Sequence, residues 1–407
     1  MESAPSALAP SSTAGQAAGN HAAFAPAVLA LGVGSFAIGT GEFVVMGLLP
    51  EMARDLGVTI PQAGHTISAY ALGVVIGAPV LAVLAAHWQR RVLLIAMMAL
   101  FALGNVASAM APGYASLNLL RFVAGLPHGT YFGVAALVAA ALAPPQRRAS
   151  AVALVMSGLA TATMLGVPLA AWLGQHLGWR SAFVLVGAIA AVTCVLVQRY
   201  VPPLEAPHGT SPWRELGALA KPQVWLTLGI GAVGFGGMFA VFSYIKPLLT
   251  EVTGMPITAV PLALGLFGLG MVVGNLVGAR LADKSLMRTI AGVLAWTVLV
   301  LVGFLFTAPY TVPVCINVFL LGTLVAIGPA LQIRLMDVAD HAQTLAAALN
   351  HSAFNIANAL GAWLGGVAIA AGLGWTSTGW VGALLAIGGL LVFAASLWLH
   401  RRTRRMA

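Results

Sequence analysis

Twelve long apolar stretches, each parted from the next by short polar or turn-forming links, dominate this sequence. They cover residues 24–50, 62–86, 92–111, 116–142, 149–174 and 181–199, then 224–246, 257–281, 289–308, 313–333, 344–372 and 378–399. A helix needs about 20 mostly apolar residues to cross the hydrocarbon of a bilayer. In that medium the backbone must satisfy its own hydrogen bonds, which a helix does within one segment. The stretches therefore predict an all-α polytopic membrane protein with twelve transmembrane helices. Charge agrees: only 7% of the 407 residues are charged, against roughly 25% in soluble domains.

Basic residues alternate from link to link. Arg90, Arg91, Arg147, Arg148, Arg199, Arg214, Lys221, Arg280, Lys284, Arg288, Arg334 and the terminal Arg401, Arg402, Arg404 and Arg405 fall on one side, 15 of the 19 Lys and Arg. Arg54, Arg180 and Lys246 fall on the other, and Arg121 lies within a span. Basic links favour the cytoplasm, so both termini are expected there. The net charge of +9 is then a matter of topology and implies no nucleic-acid partner. Residues 1–23 are rich in Ala, Ser, Pro and Gly and lack the basic start of a signal peptide. They read as a disordered cytoplasmic tail. Cys194 and Cys315 sit in apolar segments of opposite halves, which allows no disulfide framework or metal site.

The second and eighth stretches repeat one another. LGVVIGAPVLAVLAAHWQRR (72–91) aligns without a gap on LGMVVGNLVGARLADKSLMR (269–288), with nine of twenty positions identical. Both stretches run in the same direction, so the repeat is parallel: two six-helix bundles related by an axis along the membrane normal, around a central cavity. The expected organisation is a bundle over 24–200, a cytoplasmic linker over 201–223, a bundle over 224–400 and a basic tail over 401–407. Two similar halves about a cavity suit alternating exposure of one site, the work of a transporter. No GxxxxGK[ST] occurs, none of the three lysines follows a glycine, and there is no GxSxG. The chain is thus read as no enzyme and no ATP-driven pump. No cofactor and no metal are expected, and an ion gradient is the energy source. A membrane scaffold or receptor is the non-transport alternative.

Four stretches resemble a known family. GEFVVMGLLPEMARDLGVTIPQAG (41–64), GARLADKSLMR (278–288), RFVAGLPHG (121–129) and GLATATMLGVPLAAWLG (158–174) are similar to motifs of the major facilitator superfamily. The likeness is to its twelve-span drug/proton antiporters and, within them, the arabinose-efflux-permease-like branch. It implies the major facilitator fold, a monomer as the working unit, and proton-driven export of a small molecule such as a drug or a sugar. The rival is a proton-coupled symporter or uniporter for a sugar, amino acid or nucleoside. The resemblance also implies a cytoplasmic gating network of Asp283, Arg288, Arg90 and Arg91, although a positive-inside role accounts for the arginines equally well. The family pattern is broken in three places. Ala86 stands where the first half should have an acid, so a latch built on that acid is expected only at Asp283. Ala279 replaces a glycine. The fifth-span kink is carried by Gly166 and Pro168 with a valine between them.

Glu42 is the only ionisable residue from Ala23 to Pro50. An ionised acid at a helix centre costs about 2.5–3.5 kcal/mol on insertion scales. Arg121 falls at similar depth, so an ion pair is possible. Either the two form a fixed structural pair, or Glu42 is a titratable carboxylate at the substrate cavity whose proton affinity burial and Arg121 push in opposite directions. The second reading is favoured and makes Glu42 and Arg121 the proton-coupling candidates. His128, two turns beyond Arg121 on the same face, is either a packed histidine or a second protonation site. In the eleventh stretch, His351, Asn355 and Asn358 form one stripe, with Asn350 about 100° round from it. All four are candidates for the substrate-cavity wall, the alternative being hydrogen bonds between helices.

Overall fold

The computed structural model describes residues 12–58, 60–205 and 212–406. Among them there is no strand. Twelve helices are long and apolar enough to cross a membrane: α1 (Phe24–Leu56), α2 (Gln62–Leu84), α3 (Arg90–Ala109), α4 (Tyr114–Leu142), α5 (Pro145–Leu177), α6 (Arg180–Tyr200), α7 (Pro222–Phe242), α8 (Val260–Lys284), α9 (Leu286–Thr307), α10 (Thr311–Val338), α11 (Gln343–Leu373) and α12 (Ser377–Arg402). Two expectations are corrected. The tail read over 1–23 lies outside the described residues up to residue 11, but from Ser12 the backbone is helical and runs into α1. Its alanine content favours that state. The first span does not stop at Pro50 but continues to Leu56. Proline removes one helical donor, and the polar MARDL segment beyond it carries the remaining bonds.

The repeat is visible in the packing. A Cβ on Gly73 of α2 would collide with the Phe122 carbonyl of α4, and one on Gly270 of α8 with the Phe319 carbonyl of α10. Gly125 meets Tyr70 and Gly322 meets Phe267 in the same way. All four positions of the first half are matched in the second at an offset of 197 residues. Backbones pressed this closely gain van der Waals contact that larger residues would prevent. Gly270→Ala is therefore expected to destabilise the second half by about 1–3 kcal/mol, as overpacking does. Thermal unfolding in detergent measures this.

Helix α5 carries a π-helical turn at Ala162–Gly166, directly before Pro168. Proline leaves a carbonyl without its donor, and a widened turn is a common accommodation. Gly166 lies so close to Phe36 and Thr40 of α1 that it has no room for a side chain. α5 thus stays tight against α1 at Gly166, while Thr163, Met164, Val167 and Pro168 face the space between the halves.

The links bearing most of the basic residues gather at one end of the bundle, here the basic end; the opposite one is the far end. At the basic end the halves touch through polar contacts. Between them, from mid-depth toward the far end, lies a cavity of about 510 Å³.

Candidate functional site

The cavity is walled by α1, α4 and α5 from the first half and α7, α8, α10 and α11 from the second. Among the described residues, Glu42 is its only carboxylate. The remaining wall is mostly apolar, with seven phenylalanines and five methionines. Glu42 and His128 line it from the first half, and His351, Asn355 and Asn358 from the second. The stripe read along α11 therefore shares one cavity face. Asn350 does not belong to it. That residue is buried inside the second half, where its amide donates to Gln332 Oε1 at 2.7 Å. A rotation of about 100° per residue is enough to turn the neighbour of a cavity residue into the bundle.

Arg121 is fully buried and does not line the cavity. Its Nη2 donates to the Gly41 carbonyl at 3.0 Å, and its guanidinium lies 4.3 Å from the Tyr70 ring centre and 5.4 Å from that of Phe183. Nε and Nη1 have no hydrogen-bond partner among the described residues. The possible Glu42–Arg121 ion pair is thus not formed. The ion pairs among the described residues are Arg148–Asp337, Arg180–Asp55 and Lys221–Asp340. Equal depth put the two charges at one level, but Arg121 reaches the backbone one residue before Glu42 instead.

Tyr70 joins this group to the second half. Its ring lies under Arg121, and its hydroxyl is 3.0 Å from His128 Nδ1. The His128 ring is centred 5.3 Å from that of His351, which stacks on Phe132 at 4.2 Å. His128 and His351 come from opposite halves, so any relative motion of the halves alters their approach. His351 Nε2 is buried without a hydrogen-bond partner among the described residues.

From the cavity wall down to the basic end, the halves are pinned together. Asn275 of α8 donates to the Ala153 carbonyl and to Ser157 Oγ of α5, at 2.7 and 2.9 Å. Asp283, at the end of α8, accepts from the backbone N–H of Ala149 at 2.8 Å and of Ser150 at 3.1 Å, and from the Ser150 hydroxyl. The carboxylate thereby caps the first turn of α5, where backbone donors lack helical partners and the helix dipole favours negative charge. Arg90 Nη1 donates to Thr344 Oγ1 at 2.8 Å, from α3 across to α11. The other two gating candidates do not bridge the halves. Arg91 bonds the Val201 carbonyl at 3.4 Å, within its own half. Arg288 is exposed and makes no ion pair with Asp283, whose oxygens are already engaged by α5.

One residue of this closure was missed in the sequence. The linker, read as a polar connection, contains a short helix, Pro212–Leu216. It carries Glu215, which is 1% exposed and accepts from the Leu345 N–H in the first turn of α11 at 2.9 Å. Burial pushes its carboxyl above the usual carboxylate range, and the Leu345 N–H draws it partly back. Asp283 thus caps α5, and Glu215 caps α11, its counterpart in the repeat. Ala86 occupies the place where the first half's own acid would stand, and the linker supplies the carboxylate instead. That missing acid was the available signal, but it did not say where the substitute lay.

A family model described as Major Facilitator Superfamily matches residues 31–350. The chain is 41% identical over 371 residues to the inner membrane transport protein YdhP of Escherichia coli K12, covering 91% of this chain and 95% of that one. It is 36% identical over 377 residues to a chloramphenicol resistance protein of Streptomyces lividans, covering 90% and 93%. The solved structure of the proton:xylose symporter XylE superposes with a TM-score of 0.74 at 15% identity, covering 91% of this chain and 95% of that chain. With a family match over most of its length and relatives this similar, the chain belongs to the major facilitator superfamily.

Proposed function

We propose that this chain is a proton-coupled exporter of amphipathic small molecules, acting as a monomer in the inner membrane of a bacterium by alternating access. The basic end and both termini face the cytoplasm, in keeping with the bias of 15 of 19 Lys and Arg. On that orientation the described state is closed to the cytoplasm, with its cavity directed outward. One observation carries the reading: a cavity between two pinned halves, walled by phenylalanine and methionine, with a single carboxylate on its surface among the described residues.

The wall also favours a substrate class. A sugar needs several fixed polar partners for its hydroxyls, because groups left unpaired on either side are costly. Here the polar wall is thin. Asn275 is engaged by α5, and the Asn355 amide N–H is given to the His351 carbonyl at 3.0 Å. Methionine and aromatic side chains instead repack around varied apolar shapes. The chloramphenicol resistance protein among the relatives fits an amphipathic drug-like substrate.

Glu42 is the proposed proton site. It sits on the cavity wall beside the buried positive charge of Arg121, so a bound substrate or a closing wall changes the environment that decides its protonation. His128 is the proposed second site and, with His351, senses the approach of the halves. His351, Asn355 and Asn358 supply the polar contacts to substrate. The test uses liposomes containing the purified protein and a trapped pH-sensitive dye, with an imposed pH gradient. Chloramphenicol-like compounds are expected to trigger proton flux, and simple sugars are not. Flux triggered by sugars alone would overturn the substrate class. Labelled compound moving without proton flux would overturn the coupling.

A further inference from the structure

Away from the central cavity, a second concavity of about 590 Å³ lies among α8, α9 and α10. Its walls are apolar. Val273, Val277 and Leu281 of α8 are each more than a third exposed, and Trp296 of α9 stands opposite them. A groove is left there because α9 has a glycine on this face. A Cβ built on Gly292 meets nothing within 4 Å.

Length and charge identify what this groove suits. From Val273 to Lys284 it follows eleven residues of α8, about 16 Å of helix at 1.5 Å per residue. One leaflet of a bilayer has about 15 Å of hydrocarbon, half of roughly 30 Å. The apolar groove therefore matches an acyl chain in one leaflet. At its basic end, the level of the lipid headgroups, stand Lys284 and Arg288, both exposed, beside Ser285 and Thr289. Neither cation is ion-paired among the described residues, since the adjacent Asp283 is committed to α5. Two uncompensated cations and a hydroxyl at the mouth of an apolar slot are complementary to a phosphate with a hydrocarbon tail.

We propose that this groove is a binding site for an anionic phospholipid, its headgroup phosphate held by Lys284 and Arg288 and one acyl chain lying in the slot between α8 and α9. The site adjoins the Asp283 cap, so an occupied groove braces the end of α8 that pins α5.

The test is made on the purified full chain in detergent. It is titrated separately with phosphatidylglycerol and phosphatidylcholine of the same chains, and bound lipid is counted by native mass spectrometry. Phosphatidylglycerol is expected to be retained at least about tenfold more tightly, a gap of about 1.4 kcal/mol. Gly292→Leu, whose Cβ has open space around it and whose branched end fills the slot, is expected to remove that retention while both cations remain. The double variant Lys284→Gln/Arg288→Gln is expected to equalise the two lipids. Equal retention of both lipids by the unaltered protein would overturn the proposal. So would a Gly292→Leu variant that holds phosphatidylglycerol unchanged, since charge alone would then explain the binding.

Discussion

Glu42→Gln reduces gradient-driven transport to the level of protein-free liposomes, while the variant still folds and still exchanges substrate across the membrane when no gradient is imposed. The expectation follows from what the substitution keeps and removes. Glutamine has nearly the same volume and still offers a hydrogen-bond acceptor to the cavity, where Glu42 is only partly buried. Substrate affinity should therefore change by less than about tenfold, below roughly 1.4 kcal/mol. Glutamine cannot carry a proton, however, and among the described residues no second carboxylate lines the cavity to take over. Nor does the change break an ion pair, because Arg121 is held by the Gly41 carbonyl and the rings of Tyr70 and Phe183. A folding defect is thus not the expected cause of the loss. Counterflow of labelled substrate separates the two functions, since exchange moves no net proton. Retained counterflow with lost gradient-driven uptake supports the proton role. Unchanged gradient-driven uptake would sink it and leave Glu42 a structural residue.

Much of the fold was legible because membrane insertion depends on a local property. Twenty apolar residues in a row announce a span without reference to any distant partner. The repeat was legible because two spans of the same direction kept the same glycines for the same helix contact, Gly73 with Phe122 and Gly270 with Phe319. Parts of the site followed from helical periodicity alone. His351, Asn355 and Asn358 share a face at any α-helical pitch, and the same arithmetic turned Asn350 away. Periodicity and depth give the height of a residue and its face on its own helix. They do not give the rotation of that helix against its neighbours, which is why Arg121 was brought level with Glu42 yet bonds the backbone beside it. Glu215 lay beyond both rules. Its partner Leu345 is 130 residues away in the second half, and a linker has no periodicity from which to infer a face.

Removing both carboxylate caps, with Asp283→Ala and Glu215→Ala, is expected to open the basic end. Each cap satisfies backbone donors in the first turn of a helix of the opposite half or of the repeat, and losing such a cap costs about 0.5–2 kcal/mol. Here the cost is expected to fall on the closed state: Asp283 meets α5 only while the halves are together, and Glu215, on the linker helix, meets α11 beside the Arg90–Thr344 contact, which crosses between them. If the caps act independently, the double change shifts the balance between closed and open states by about 1–4 kcal/mol, roughly 5-fold to several-hundredfold. Alanine is the informative replacement at 215. Burial already disfavours the charged carboxyl there, and glutamine would keep an acceptor for the Leu345 N–H. Spin labels at the exposed Gln146, in the first turn of α5, and His341, on the link between α10 and α11, report the separation directly and need no substrate. A longer distance population in each single variant, larger in the double, is the expected result. A shift for Asp283→Ala but none for Glu215→Ala would mean that the first half has no carboxylate latch and that Glu215 merely anchors the linker. An unchanged distribution in the double variant would mean that Arg148–Asp337, Asn275 and the apolar contacts hold the basic end shut without either acid.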